Sequence, residues 1–238
     1  MIRLNVLAKN LENAKQIHEL TEGKALIGVM VRDFATDEEA VERVISYQEA
    51  GVPVSVGLGN GDANQWEKVV RVALETKPAH VNQVFPAAGY TLGALKQVNS
   101  THTLVNALIR PSGEVGKVII STGPKSEKDL GVVTTDVAAA MLADIGVPSI
   151  KFFPIKGNRC LDEVAAMVRS GAKYGLDVFE PTGGIDVSTI GDVVEVCLNN
   201  GAKEVIPHVY TSIVDPETGL TKLEDVKELL ANLPRVTL

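Results

Sequence analysis

The sequence predicts a (β/α)8 TIM barrel with an N-terminal capping helix, one α/β domain over residues 1–238, and three observations lead there. Apolar runs ending in Gly, Pro, Asn or Ser recur along the chain, and several are followed by a segment of helical periodicity. Eight such runs can be marked. Dividing 238 residues among eight leaves about 30 each, the length of one βα repeat, and the total is close to the ~250 residues usual for such barrels.

In chain order, Leu11, Ala14, Ile17, His18 and Leu20 have helical spacing and precede the first expected strand, so this segment is expected to cap the bottom of the barrel. Strands are expected over residues 26–31, 54–58, 80–85, 104–109, 118–121, 149–153, 177–179 and 204–206. Helical periodicity is clearest over 37–50, 64–76, 135–145, 161–174 and 188–199, with a final amphipathic helix over 222–230. Residues 110–116 read as a turn, too short for a helix between the fourth and fifth strands. The charged stretch 123–129 reads as a long loop on the catalytic side. An open doubly wound sheet is the rival fold, but Gly57-Leu58-Gly59-Asn60-Gly61 lacks the spacing of a dinucleotide-binding turn.

With 45% hydrophobic residues the chain can build a substantial core. Its 23 basic against 30 acidic side chains give a net charge of −7, which argues against a nucleic-acid partner. No apolar run approaches a membrane span, and Glu12, His18 and Glu19 interrupt any signal-peptide pattern, so a cytoplasmic protein without membrane contact is expected. Cys160 and Cys197 fall in helix-patterned segments as small hydrophobes, with neither disulfide nor metal-ligand spacing. No metal or cofactor is expected.

Barrel chemistry gathers at the carboxyl ends of the strands. Lys151 stands inside the apolar run Ser149-Ile150-Lys151-Phe152-Phe153-Pro154, where strand parity puts it on one face with Phe153. A desolvated amine there would suit Schiff-base chemistry; an ion-paired structural lysine is the alternative. Pro181-Thr182-Gly183-Gly184-Ile185 follows the seventh strand, and its backbone amides can converge on a phosphate or carboxylate, with Lys156, Thr211 and Ser212 as supplements; a tight turn is the alternative. Asn60, Asn82 and Asn106 lie near the ends of the second, third and fourth expected strands, placed to bind substrate or to form turns. His208 stands beside the eighth as a structural residue, anion ligand or proton relay.

Lys151-Phe152-Phe153-Pro154 followed by Pro181-Thr182-Gly183-Gly184-Ile185 resembles the 2-keto-3-deoxy-6-phosphogluconate (KDPG)/4-hydroxy-2-oxoglutarate aldolase family, in a divergent sugar-acid branch. Val29-Met30-Val31-Arg32, Asp37-Glu38-Glu39-Ala40 and Ala50-Gly51-Val52 resemble that family's first βα unit. The resemblance implies a class I aldolase in which Lys151 attacks a 2-oxo group and Thr182, Gly183 and Gly184 hold an anion. Arg32 would face that anionic substrate, or pair with Asp33 or Glu180. It also implies a homo-oligomer, trimeric or larger. Two departures stand out: Pro53–Leu58 lacks the family's second-strand glutamate, and Ile206–Ser212 lacks its Gly-Gly-Ser phosphate element. Glu180 is the substitute base on this reading, sharing inward parity with Lys151 if Pro154 and Pro181 mark equal heights. It could equally hold Lys151 charged.

The expected activity is therefore cofactor-independent cleavage of 2-keto-3-deoxy-6-phosphogluconate to pyruvate and glyceraldehyde 3-phosphate. Catalysis is assigned to Lys151 and Glu180, and substrate binding to Arg32, Asn60, Asn82, Thr182, Gly183, Gly184, Thr211 and Ser212. A 4-hydroxy-2-oxoglutarate aldolase, a non-covalent sugar-phosphate isomerase or decarboxylase, and a sugar-phosphate sensor are the alternatives.

Overall fold

The computed structural model describes residues 1–234, in which strands and helices alternate. In order they are β1 (Leu4–Leu7), α1 (Leu11–Leu20), β2 (Ala25–Met30), α2 (Asp37–Glu49), β3 (Val54–Gly57), α3 (Trp66–Thr76), β4 (His80–Val84), α4 (Phe85–Gln97), β5 (Leu104–Pro111), β6 (Lys117–Ile119), β7 (Val132–Thr134), α5 (Thr135–Asp144), β8 (Ser149–Phe152), α6 (Leu161–Lys173), β9 (Val178–Pro181), α7 (Ile190–Asn199), β10 (Glu204–Val205), β11 (His208–Val209) and α8 (Leu223–Asn232). Parallel pairing follows the path β10-β9-β8-β5-β4-β3-β2-β1-β11. Its two ends are one segment interrupted at Pro207, which has no N–H for a ladder. Ile2 bridges Val205 and Thr182 bridges His208, so the sheet curls round to meet itself in a TIM-barrel-like (β/α) fold.

Two expectations need correcting. The amino-terminal helix does not cap the barrel: β1 precedes it, and α1 packs on α8, α2 and β2 as the ordinary partner of the first strand. Nor is 118–121 a barrel strand. β6 pairs antiparallel with β5 (Arg110 opposite Ile119) and with β7 (Lys117 opposite Thr134), forming a side ribbon before α5. The expected turn lies over 112–116, residues 110 and 111 being the end of β5, and no helix is missing, because β5 is followed by this ribbon and then by α5. Part of the charged stretch after Gly123 forms a short helical turn, Ser126–Lys128.

Side-chain caps start α1, α2 and α5. α2 opens on a capping box, with the Glu39 N–H donating to Thr36 Oγ1 at 3.2 Å and the Thr36 N–H donating to Glu39 Oε2 at 3.4 Å. α4 escapes a periodicity reading because Gly89 and Gly93 weaken its pattern; Gly89 is needed for packing, since a Cβ there would stand 3.2 Å from Ile145 Cδ1. Cys197 is buried in α7, whereas Cys160 only precedes α6; both thiols are free.

The interior is layered. Leu26, Leu104, Val178 and Ile206 form a small apolar cluster separate from the main core that underlies the helices. Register places Ser55 beside His80, Asn106 beside Ser149, Lys151 beside Glu180 and Asn5 beside His208. A stratum that branched apolar residues usually fill is therefore polar here.

Candidate active site

A cavity of about 600 Å³ opens where the carboxyl-end loops of the strands meet. Arg32, Asn60, Asn82, Lys151, Thr182, Gly183, Gly184, Thr211 and Ser212 all line it, together with His208, Tyr210 and an apolar wall that includes Met30, Leu108 and Phe153. Gly57 keeps its floor open: a Cβ there would lie 3.2 Å from Asn82 Nδ2 and 3.1 Å from Met30 Cε.

Lys151 Nζ donates to Asn82 Oδ1 at 2.9 Å and to His208 Nδ1 at 3.2 Å. Burial lowers its pKa to about 8 against an opposing pull from the Glu180 charge. Asn82 is committed to holding that amine. Its Oδ1 also accepts from Asn106 Nδ2 at 2.9 Å, and its own Nδ2 donates to Ser55 Oγ at 2.9 Å.

Glu180 does not line the cavity, which corrects its expected position. It lies fully buried beneath Lys151, and four donors saturate its oxygens. His80 Nε2 donates to Oε1 at 2.9 Å and Ser149 Oγ to Oε1 at 2.5 Å; His208 Nε2 donates to Oε2 at 2.7 Å and Asn106 Nδ2 to Oε2 at 2.7 Å. Burial alone would raise its pKa, but the hydrogen-bonding rings of His80 and His208 outweigh burial and hold the carboxyl well below its usual range. The in-register pairing of Lys151 with Glu180 agrees with the expected parity. The two prolines are not level, however, since Pro181 pairs with Phe152 and Pro154 lies beyond.

The network also assigns the histidine tautomers. Nε2–H of His208 faces the carboxylate, leaving the Nδ1 lone pair toward Lys151 and the Tyr210 hydroxyl, which is 3.2 Å away. Burial and the neighbouring Lys151 charge push His208 down to about 3, so the ring is neutral at pH 7. Ser55 Oγ accepts from the Asn5 and Asn82 amides, and its proton goes to His80 Nδ1 at 2.8 Å. Asn5, Ser55, His80, Ser149 and Tyr210 were not singled out from sequence. Inward strand parity was the available signal, since Ser149 alternates with Lys151 and His80 with Asn82.

The anion side is built from three loops. Gly157 N–H donates to Gly183 O at 2.9 Å, Ile155 N–H to Thr182 O at 2.9 Å, and Ser212 Oγ to Ile185 O at 2.7 Å. Gly183 and Gly184 have φ of +101° and +73°, and a Cβ on Gly184 would stand 2.8 Å from the Gly157 nitrogen. With the carbonyls of 182, 183 and 185 engaged, the Gly184 and Ile185 N–H groups have no intramolecular acceptor among the described residues. Arg32, in the turn Val31–Asp33 after β2, is exposed and makes no salt bridge among the described residues, so it pairs with neither Asp33 nor Glu180. Asn60 is exposed at φ +49° between two glycines of positive φ. No cluster of three His, Cys, Asp or Glu among the described residues could hold a metal, and no described helix is long and apolar enough to cross a membrane.

A partly desolvated amine on the floor of a barrel cavity, below a glycine-rich loop, is the architecture of a barrel enzyme, and comparison with known proteins places it among the lyases. The chain belongs to the KDGP aldolase family, whose model matches residues 1–217. A 2-dehydro-3-deoxy-phosphogluconate aldolase of Salmonella typhimurium is 43% identical over 230 residues, 96% of this chain and 93% of that protein. Solved structures share the fold at low identity. They include a 3-hexulose-6-phosphate synthase from Salmonella typhimurium (TM-score 0.60, 12% identity, covering 97% of this chain and 98% of that one). KGPDC from Streptococcus mutans is comparable (TM-score 0.59, 13% identity, 98% and 97%). So is N-(5'-phosphoribosyl)anthranilate isomerase from Pyrococcus furiosus (TM-score 0.59, 13% identity, 98% of each).

The family match overturns the resemblance drawn from sequence, because KDGP aldolase is a family distinct from the KDPG/4-hydroxy-2-oxoglutarate aldolases. The absent second-strand glutamate and the altered eighth-strand loop were the marks of that difference.

Proposed function

We propose that this chain is a class I aldolase that cleaves 2-dehydro-3-deoxy-phosphogluconate into pyruvate and glyceraldehyde 3-phosphate through an imine on Lys151. The observation that carries the reading is the Lys151 amine, lowered to about pKa 8 and opening on the cavity beside the Gly183-Gly184 loop. An amine at that value is roughly 9% neutral at pH 7, against roughly 0.03% for an ordinary lysine, so nucleophile is present without a separate activating base. The name of the Salmonella relative supports the substrate.

In this reading the amine adds to the 2-oxo carbon and loses water to give the iminium. The C3–C4 bonding pair then flows toward that nitrogen as the aldehyde leaves. The phosphate sits on the Gly183-Gly184 turn, whose Gly184 amide is free among the described residues, aided by Thr182, Thr211 and Ser212. Arg32 and Asn60, on the opposite lip, meet the carboxylate and hydroxyls; Asn82 aims the amine.

Pyruvate with a hydride donor, followed by peptide mapping, should leave a reduced adduct on Lys151. No adduct in folded protein sinks the mechanism. Parallel turnover on the phosphorylated substrate and on 4-hydroxy-2-oxoglutarate decides the substrate, with the phosphorylated acid expected to be far faster.

A further inference from the structure

We propose that His208 is the proton-transfer residue of this site, carrying the proton from the C4 hydroxyl to C3, with Glu180 as the positioning residue that keeps its Nδ1 lone pair turned to the cavity. The inference rests on the imine reading above and goes beyond it. Cleavage beside the Lys151 iminium needs a proton acceptor within reach, and among the described residues the groups in hydrogen-bond contact with Nζ are the Asn82 amide oxygen and His208 Nδ1. An amide oxygen is a poor base. Glu180 has its oxygens saturated by four donors and is walled off beneath the floor. Tyr210, the other ionisable group touching His208, has its hydroxyl pushed far up by burial and stays protonated.

The step balances on one ring. Neutral His208 Nδ1 accepts the C4 hydroxyl proton as the C3–C4 bond breaks. That bonding pair becomes the C2=C3 double bond, and the C=N pair returns to the Lys151 nitrogen. The imidazolium then returns the proton to C3 of the enamine, restoring the iminium that water hydrolyses to pyruvate and free Lys151. During this cycle the positive charge of the iminium shifts to the ring, over the 3.2 Å that separates Nζ from Nδ1, while Glu180 keeps its negative charge 2.7 Å from Nε2. The buried cluster is never asked to create charge, only to move it, which removes most of the desolvation cost.

The test follows exchange of the pyruvate methyl protons in D2O by NMR, alongside hydride trapping on Lys151, in wild type and H208Q. The expected result is an adduct within a few-fold of wild type and exchange slowed by roughly 10²–10⁴-fold. Exchange within threefold of wild type in H208Q overturns the assignment. Absence of the adduct in wild type itself overturns the imine reading instead, so the two failures are distinguishable. Nitrogen-15 NMR of histidine-labelled wild type gives a measurement independent of how H208Q folds. His208 should be neutral with the proton on Nε2 from about pH 6 to about pH 9; a doubly protonated ring, or a proton on Nδ1, at pH 7 refutes the proposal.

Discussion

The sharpest consequence concerns the pH dependence of adduct formation at Lys151. The perturbation is pH itself, taken from about 6 to about 10 with pyruvate saturating. Burial holds the amine near pKa 8, so its neutral fraction is roughly 1% at pH 6, 9% at pH 7 and 50% at pH 8. An exposed lysine at 10.5 would give roughly 0.03% at pH 7, about 300-fold less. Initial rates of hydride-trapped adduct, read by mass spectrometry, should climb tenfold per pH unit and level off above about pH 8. Glu180 opposes the shift, so Glu180→Gln should move that plateau to lower pH, because loss of the carboxylate destabilises the ammonium. A rate that rises log-linearly through pH 9.5 in wild type, or a plateau moving upward in E180Q, would refute the account of the amine's environment.

Glu180→Gln should also cost about 3–5 kcal/mol in urea unfolding at pH 7, because an amide cannot accept from all four donors now facing the carboxylate. Its folded pKa lies below the 4.5 of an ordinary glutamate, so this stability is present above about pH 4.5 and is lost as acid protonates the group; the gap between variants should close in that direction. Arg32→Ala should leave the melting temperature nearly unchanged, since the side chain is exposed and unpaired among the described residues, while KM for the phosphorylated acid rises about tenfold; an unchanged KM removes Arg32 from the binding set. Gly184→Ala puts a Cβ 2.8 Å from the Gly157 nitrogen at φ +73°, and should destabilise the protein by about 1–3 kcal/mol and weaken phosphate inhibition more than ten-fold. Wild-type affinity in that variant would show that the loop does not hold the phosphate.

Eight strand positions were legible from sequence, yet two opposite errors lie behind the count. Leu4–Leu7 was missed because four residues at a terminus carry too little pattern to separate from a lead-in to the helix. Residues 118–121 were counted because a short apolar run cannot announce whether its partner runs parallel or antiparallel; the turn at 110–116 was the clue, since an antiparallel hairpin needs only a tight turn, whereas a parallel crossover needs a dozen residues. Shifted by that missing strand, the amino-terminal helix acquired the role of a cap. Helix α4 was hidden for another reason: its Gly89 serves the close approach of Ile145, a tertiary demand with no period of its own.

The candidate site was legible where one strand's parity sufficed and obscure where several strands had to be combined. Lys151 among phenylalanines announces a buried amine by itself, and Glu180 follows from parity on the next strand. Whether Glu180 faces substrate depends instead on height within the barrel, because side chains of the same parity two residues apart lie in different interior strata. Two residues decide between a carboxylate in the cavity and one under its floor. The donors that fill Glu180's oxygens come from β4, β5, β8 and β11, so no window of sequence contains them together. A charge so well served is costly to protonate, and a carboxylate that must stay ionised serves better as the fixed counter-charge of a moving proton than as its carrier. That physical constraint, rather than distance alone, favours the neighbouring imidazole for the proposed acid–base role, since among the described residues it is the group that touches Glu180 through one nitrogen and Lys151 through the other.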